Sequence, residues 1–139
     1  MDRYIVDTNI LVQVVTEQRF TEDVRYMLRY SGAQIYVSSA SVQELINLLQ
    51  YEDVKLQKQK IVTISNVFEF IEDTLDFIVK YVDKGHLKQL SKMEIVDKHT
   101  DPFDRIIIAQ AIVEQIPLIS SDQKFSKYRK QGLDFIPNF

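Results

Sequence analysis

The chain has no cysteine. Disulfides, cysteine-based zinc sites and thiol nucleophiles are therefore excluded, and the composition suits a reducing compartment. Glycine and proline number only 3 each, too few for long irregular loops. No segment approaches the roughly 18 consecutive apolar residues of a membrane span. The N-terminus lacks the basic segment and apolar run of a signal peptide. These absences lead us to expect a cytoplasmic location and no membrane association. Positive charge is not in excess either: the formal net charge is −3. A protein that coats nucleic acid is usually basic. An acidic balance still leaves room for carboxylates that gather divalent cations and, through them, phosphate.

What is present is a core. A length of 139 residues with a hydrophobic fraction of 45% suits one globular domain over residues 1–139 and excludes a disordered chain. Short apolar runs alternate with amphipathic stretches. "RYIV" (3–6), "QIYVSS" (34–39), "LDFIVKYV" (75–82), "IPLISS" (116–121) and "DFI" (134–136) read as strands. Helical patterns cover 9–18 and 21–30, the latter capped by Thr21. They continue over 39–54 with Ser39 as cap, after Ser65, after Asp83, over 101–115 and around 123–128. "KIVTIS" (60–65) is ambiguous. Strands alternating with helices predict an α/β fold with a mainly parallel sheet covered on both faces. Ligands of such sheets bind beyond the carboxyl ends of the strands.

That rule draws attention to acids. Asp7 follows the first strand directly, and Asp122 ends "PLISS" in the same way. Glu44 lies about one turn into the helix after the second strand, on a stripe with Ala40, Ser41 and Leu48. Asp104 falls in the first turn of the helix that begins at "DPFDR". There Pro102 takes the first helical position and Asp101 the N-cap. Each acid has a local reading: Asp7 and Asp122 as helix caps, Glu44 as a solvated helix residue, Asp104 as a complement to the helix dipole. Together they would meet at one rim and repel one another. A hard divalent cation, Mg²⁺ or Mn²⁺, removes that repulsion through oxygen ligands.

The segments "VDTNIL", "SSASVQELINLL", "HTDPFDRIIIAQA" and "PLISSDQKF", in this order over nearly the whole chain, resemble the PIN-domain ribonucleases, most closely the VapC toxins of bacterial toxin–antitoxin pairs. The resemblance implies a PIN-like three-layer α/β/α sandwich and a Mg²⁺- or Mn²⁺-dependent endoribonuclease. It implies that Asp7, Glu44, Asp104 and Asp122 form the catalytic, metal-binding set. Thr8 matches the family's hydroxylated residue after the first acid. Asn9 completes that motif, placed to orient the acid. An RNA substrate, a cognate antitoxin, a homodimer and products with 5′-phosphate and 3′-hydroxyl ends are further implications.

Other polar residues carry weaker signals. His86 and His99 are the only histidines, and neither has a partner at ligand spacing. His99 does sit just before "DPFDR", near the expected site mouth. Ser38, Ser39, Ser120 and Ser121 read as turn and cap residues. Lys124, Lys127 and Arg129 follow Asp122 closely, as a solvated basic face or as contacts to substrate phosphates. Arg105 is expected to pair with a site carboxylate or a phosphate. Two other functions fit acids at strand ends: a receiver-like phosphoryl-transfer domain with Asp7 as acceptor, and a non-catalytic PIN-like module that binds a protein. The first needs a lysine at a late strand end, where this chain has Asp122. The second does not need the full acidic set.

Overall fold

A computed structural model describes residues 2–51 and 61–139. Five parallel strands form one sheet in the order β3-β2-β1-β4-β5. They are β1 (Arg3–Val6), β2 (Gln34–Ser38), β3 (Ile78–Lys80), β4 (Leu118–Ser120) and β5 (Phe135–Pro137). The helices are α1 (Thr8–Val15), α2 (Glu22–Arg29), α3 (Ser39–Gln50), α4 (Lys84–Lys92) and α5 (Pro102–Glu114). A run of helical turns covers Ile64–Asn66, Val67–Glu69 and Phe70–Thr74, and a 3₁₀ helix covers Gln123–Gln131.

Alternation along the strands divides the core between two faces. Val6, Ile35, Val37 and Ile119 pack with Ile10, Leu11, Val24, Leu45 and Ile71. Their neighbours Ile5, Leu118 and Phe135 pack with Ile106, Ile107, Phe125 and Tyr128. Helices thus cover both sides of the sheet, giving the three-layer α/β/α sandwich expected from the sequence. Each fully buried aliphatic side chain stabilises this arrangement by roughly 1.5–3 kcal/mol. No helix among the described residues is long and apolar enough to cross a membrane.

The chain order determines where a ligand can bind. From β1 the chain moves outward through β2 and β3, then returns to the other side of β1 for β4 and β5. The direction reverses between β1 and β4, and the loops leaving these two strands part there, opening a crevice at their carboxyl ends.

Several boundaries differ from the sequence reading. Helix α1 stops at Val15 rather than 18, because Glu17 takes a left-handed φ of 55°. The cap of α3 is Ser38, whose Oγ accepts from Ala40 N–H at 3.0 Å. Ser39 instead accepts from Val82 N–H at 3.0 Å, which ties α3 to the end of β3. The strand expected over 75–82 shrinks to Ile78–Lys80. Leu75 N–H closes the preceding helical turn on Phe70 O, and Asp76 has a φ of 57°. The expected continuation of α3 to residue 54 and the first residue of "KIVTIS" lie outside the described residues.

Candidate active site

Asp7 is 1% exposed, immediately beyond β1. Both of its oxygens are engaged. Oδ1 accepts from Ile10 N–H at 2.9 Å, capping α1, and Oδ2 accepts from the Ser120 hydroxyl at 2.6 Å. The cap reading is therefore realised, at the carboxyl end of a central strand. Burial is the main influence on its carboxyl and, with the charges of Asp104 and Asp122, pushes its pKa up to about 7, against the pull of the Ser120 and Ile10 hydrogen bonds. Ser120 also accepts from Asp122 N–H at 3.0 Å, so one hydroxyl connects the acids that end the two central strands. Asp122 caps the 3₁₀ helix by accepting from Lys124 N–H at 2.9 Å.

Asp104 rises from the first turn of α5. Burial raises its pKa, as do Asp101 and Asp122, while His99 lowers it. Glu44, half-buried on α3, is also raised by burial and by the charges of Asp101 and Asp104, with the Thr8 hydroxyl acting in the opposite direction. Asp7, Glu44, Asp104 and Asp122 thus share one electrostatic neighbourhood at the strand ends. No lysine or arginine forms a salt bridge with any of them among the described residues. Thr8 Oγ1 is buried, directed to Glu44 but without hydrogen-bond geometry to any partner. Asn9 is exposed, and with Gln13, Ser121 and Asp122 it lines a cleft of about 430 Å³.

Asp101 does what its sequence position dictates. Its Oδ1 accepts from the N–H groups of Phe103 at 2.9 Å and Asp104 at 3.1 Å. The carboxylate is committed to the helix end, whereas that of Asp104 is free to reach the strand ends.

His99 has the partner that sequence spacing did not reveal. Its ring is buried, with Nε2 2.9 Å from Asp104 Oδ2 and Nδ1 3.0 Å from the Tyr128 hydroxyl. The Tyr128 oxygen also faces the Arg105 guanidinium and Val96 N–H, both donors. The imidazole is thus held between Asp104 and Tyr128. The signal in the sequence was the place of His99 beside "DPFDR"; Tyr128 carried none.

The basic residues are placed differently from expectation. Arg105 forms no carboxylate pair among the described residues. Its guanidinium donates to Met93 O at 3.3 Å and faces Tyr128, so it supports the site from behind. Arg129 donates to Phe135 O at 3.1 Å and lies over the Phe135 ring, and Lys127 pairs with Asp97. Of the three, only the Lys124 side chain has no polar partner among the described residues. His86 joins Asp83 and Glu114, a group with metal-like spacing. Its Nδ1 accepts from Asp83 N–H at 3.0 Å and its Nε2 lies 2.8 Å from Glu114 Oε1. Both ring nitrogens are occupied, and the group fastens α4 to the end of α5.

The rim fits a divalent cation. Carboxylate oxygens of Asp104 and Asp122 lie within 4.8 Å of one another and of His99, whose ring nitrogens are taken by Asp104 and Tyr128. Burial first, and neighbouring carboxylates second, raise the carboxyl pKa values of Asp7, Glu44 and Asp104, and a cation at the rim would favour their charged forms. Such an oxygen-rich set suits a hard ion.

The PIN domain family model matches residues 4–131, and the chain belongs to that family. Solved structures share the fold. The VapBC2 complex of Rickettsia felis, bound to a promoter DNA fragment, matches with a TM-score of 0.71 at 14% identity, covering 99% of each chain. DNA-bound VapBC from Salmonella typhimurium matches with a TM-score of 0.70 at 17% identity, covering 99% of this chain and 98% of the other. VapBC-1 of nontypeable Haemophilus influenzae gives 0.61 at 15% identity, with 97% of each chain covered. No curated protein matches the chain by sequence.

Proposed function

We propose that this chain is a Mg²⁺- or Mn²⁺-dependent endoribonuclease of VapC type, the toxin of a toxin–antitoxin pair. One observation carries the reading: ligand atoms of Asp104 and Asp122 lie within 4.8 Å of one another, Asp7 and Glu44 each interact electrostatically with Asp104, and among the described residues no lysine or arginine forms a salt bridge with any of the four. In this reading Asp104 and Asp122 hold the ion, with Asp7 and Glu44 completing the negative site. A bound Mg²⁺ or Mn²⁺ supplies positive charge at the scissile phosphate and makes water acidic enough to act as nucleophile.

The chain's own groups do the rest. Ser120 keeps Asp7 in place, and Asp101 fixes the first turn of α5 so that Asp104 projects to the rim. His99, oriented by Tyr128, holds one Asp104 oxygen and leaves the other for a ligand. Lys124 and Asn9, both exposed near Asp122, are placed to meet substrate phosphates. The reaction breaks a P–O bond by addition of water, leaving 5′-phosphate and 3′-hydroxyl ends.

The matched VapBC and FitAB structures are toxin–antitoxin or DNA-bound complexes, which supports a cognate antitoxin as partner. A homodimer, a single domain and a cytoplasmic location fit the same reading. The receiver-like alternative is disfavoured because Asp7 has both oxygens occupied and almost no exposure. Expression of the chain alone should arrest growth, and Asp104→Asn should relieve the arrest. Equal arrest by both proteins at equal levels would remove the nuclease as its cause.

A further inference from the structure

Next to the acids lies a groove that their chemistry does not use. It occupies about 520 Å³ between the start of α3, the start of α5 and the chain leaving β3. Its walls are Val82, Pro102, Phe103 and Ile106, with Ser39 and Gln43 as the polar lining. Among the described residues no charged side chain lines it. The volume falls within the roughly 300–1,000 Å³ of ligand clefts.

We infer that this groove receives a nucleobase flanking the scissile phosphate, with Phe103 as its stacking platform and Gln43 as the group that reads its edge. The inference rests on the nuclease reading above and adds the site of base recognition.

Three observations support it. The groove borders residues of the acidic rim: Gln43 adjoins Glu44 and Phe103 adjoins Asp104 in the chain, and Glu44 and Asp104 interact electrostatically. A nucleotide whose phosphate lies at the acids therefore has its base within reach of this groove. Second, the lining is apolar and uncharged, which suits a base and would bind a phosphate poorly. Phe103 keeps part of its ring open to solvent although it packs on the core below. Aromatic faces of this kind stack on unpaired RNA bases. Third, the frame of the groove is fixed. The Ser39 hydroxyl is committed to Val82 N–H at 3.0 Å, fixing two of its walls against each other. Gln43, exposed at the lip, has a side-chain amide that offers both a donor and an acceptor to a base edge.

The test separates binding from cleavage. A short single-stranded RNA containing the fluorescent base 2-aminopurine is titrated with the protein in Mn²⁺, with the emission read before cleavage proceeds. Stacking in the groove should quench the fluorescence. Phe103→Leu, which keeps the apolar packing without the ring, should weaken binding roughly ten-fold and abolish the quench, whereas Phe103→Trp should retain it. Emission that is unchanged by the wild-type chain, or quenched equally by Phe103→Leu, would overturn the inference. In Mn²⁺, Gln43→Ala should cleave a randomised RNA pool with a broadened base preference at one position beside the cut. An unaltered cleavage pattern in both Gln43→Ala and Phe103→Leu would also overturn it. Failure of the nuclease reading looks different: wild type and Asp104→Asn would show the same lack of Mn²⁺-stimulated cleavage while the quench persisted.

Discussion

The Ser120 hydroxyl donates to Asp7 Oδ2 at 2.6 Å and accepts from Asp122 N–H at 3.0 Å, joining the ends of β1 and β4 through one side chain. This contact explains how a carboxylate can lie at the end of a buried strand. Two hydrogen bonds hold it, but they do not neutralise it, and the remaining cost appears as a pKa of about 7.

That raised pKa gives a pH dependence of stability. The ordinary value for Asp7 is 3.8 and the folded value is about 7, so between them the folded protein binds more protons than the unfolded chain. The contribution of the protonated carboxyl is fully present below about pH 4 and is lost as pH rises through 7. Asp7→Asn removes the titration while retaining a cap for α1. In EDTA, the melting temperature of Asp7→Asn relative to wild type should be higher at pH 8 than at pH 5. A difference independent of pH would contradict the assignment.

Much of this arrangement was legible in the sequence, for physical reasons. The short, mostly apolar run "RYIV" and the acids at strand ends follow from burial on both faces and from parallel topology. Pro102 fixed Asp101 as the cap, and the cap fixed the role open to Asp104. The histidines were less legible. His99 meets Tyr128 across 29 residues and His86 meets Glu114 across 28, and tertiary packing alone brings such pairs together. The same holds for Arg129, whose partner is the Phe135 carbonyl. The shortened β3 was hidden because "LDFIVKYV" has strand composition throughout, while a left-handed Asp76 ends the usable stretch.

Asp101 and Asp104 should separate cleanly. Asp101→Asn keeps the acceptor for the Phe103 and Asp104 N–H groups and should retain activity. Asp101→Ala should lower stability by roughly 0.5–2 kcal/mol. Asp104→Ala should abolish cleavage with little change in melting temperature in EDTA, because relief of repulsion offsets the lost His99 contact. Chemical denaturation and RNA cleavage on the same preparations distinguish these outcomes.

Tyr128→Phe should leave the fold intact yet release His99. Asp104 would then be held less firmly, and Mn²⁺ affinity should fall by roughly ten-fold. Calorimetric titration with Mn²⁺ measures this directly. An unchanged affinity would assign Tyr128 to packing alone.

Lys124 and Arg129 should differ in kind. Lys124→Ala should weaken RNA binding and reduce its salt dependence by about 0.7 in logarithmic slope, with no loss of stability. Arg129→Ala should lower the melting temperature through its contacts with Phe135 and leave the salt dependence alone.

The most direct test of the central claim is cleavage of a single-stranded RNA by carefully purified wild-type protein and by Asp104→Asn, each with Mn²⁺ and with EDTA. The acidic rim predicts cleavage by wild type in Mn²⁺, its loss in EDTA, its return when Mn²⁺ is restored, and none above background from Asp104→Asn. Wild-type cleavage undiminished in EDTA, or equal cleavage by Asp104→Asn, would contradict a metal-dependent nuclease built on these carboxylates.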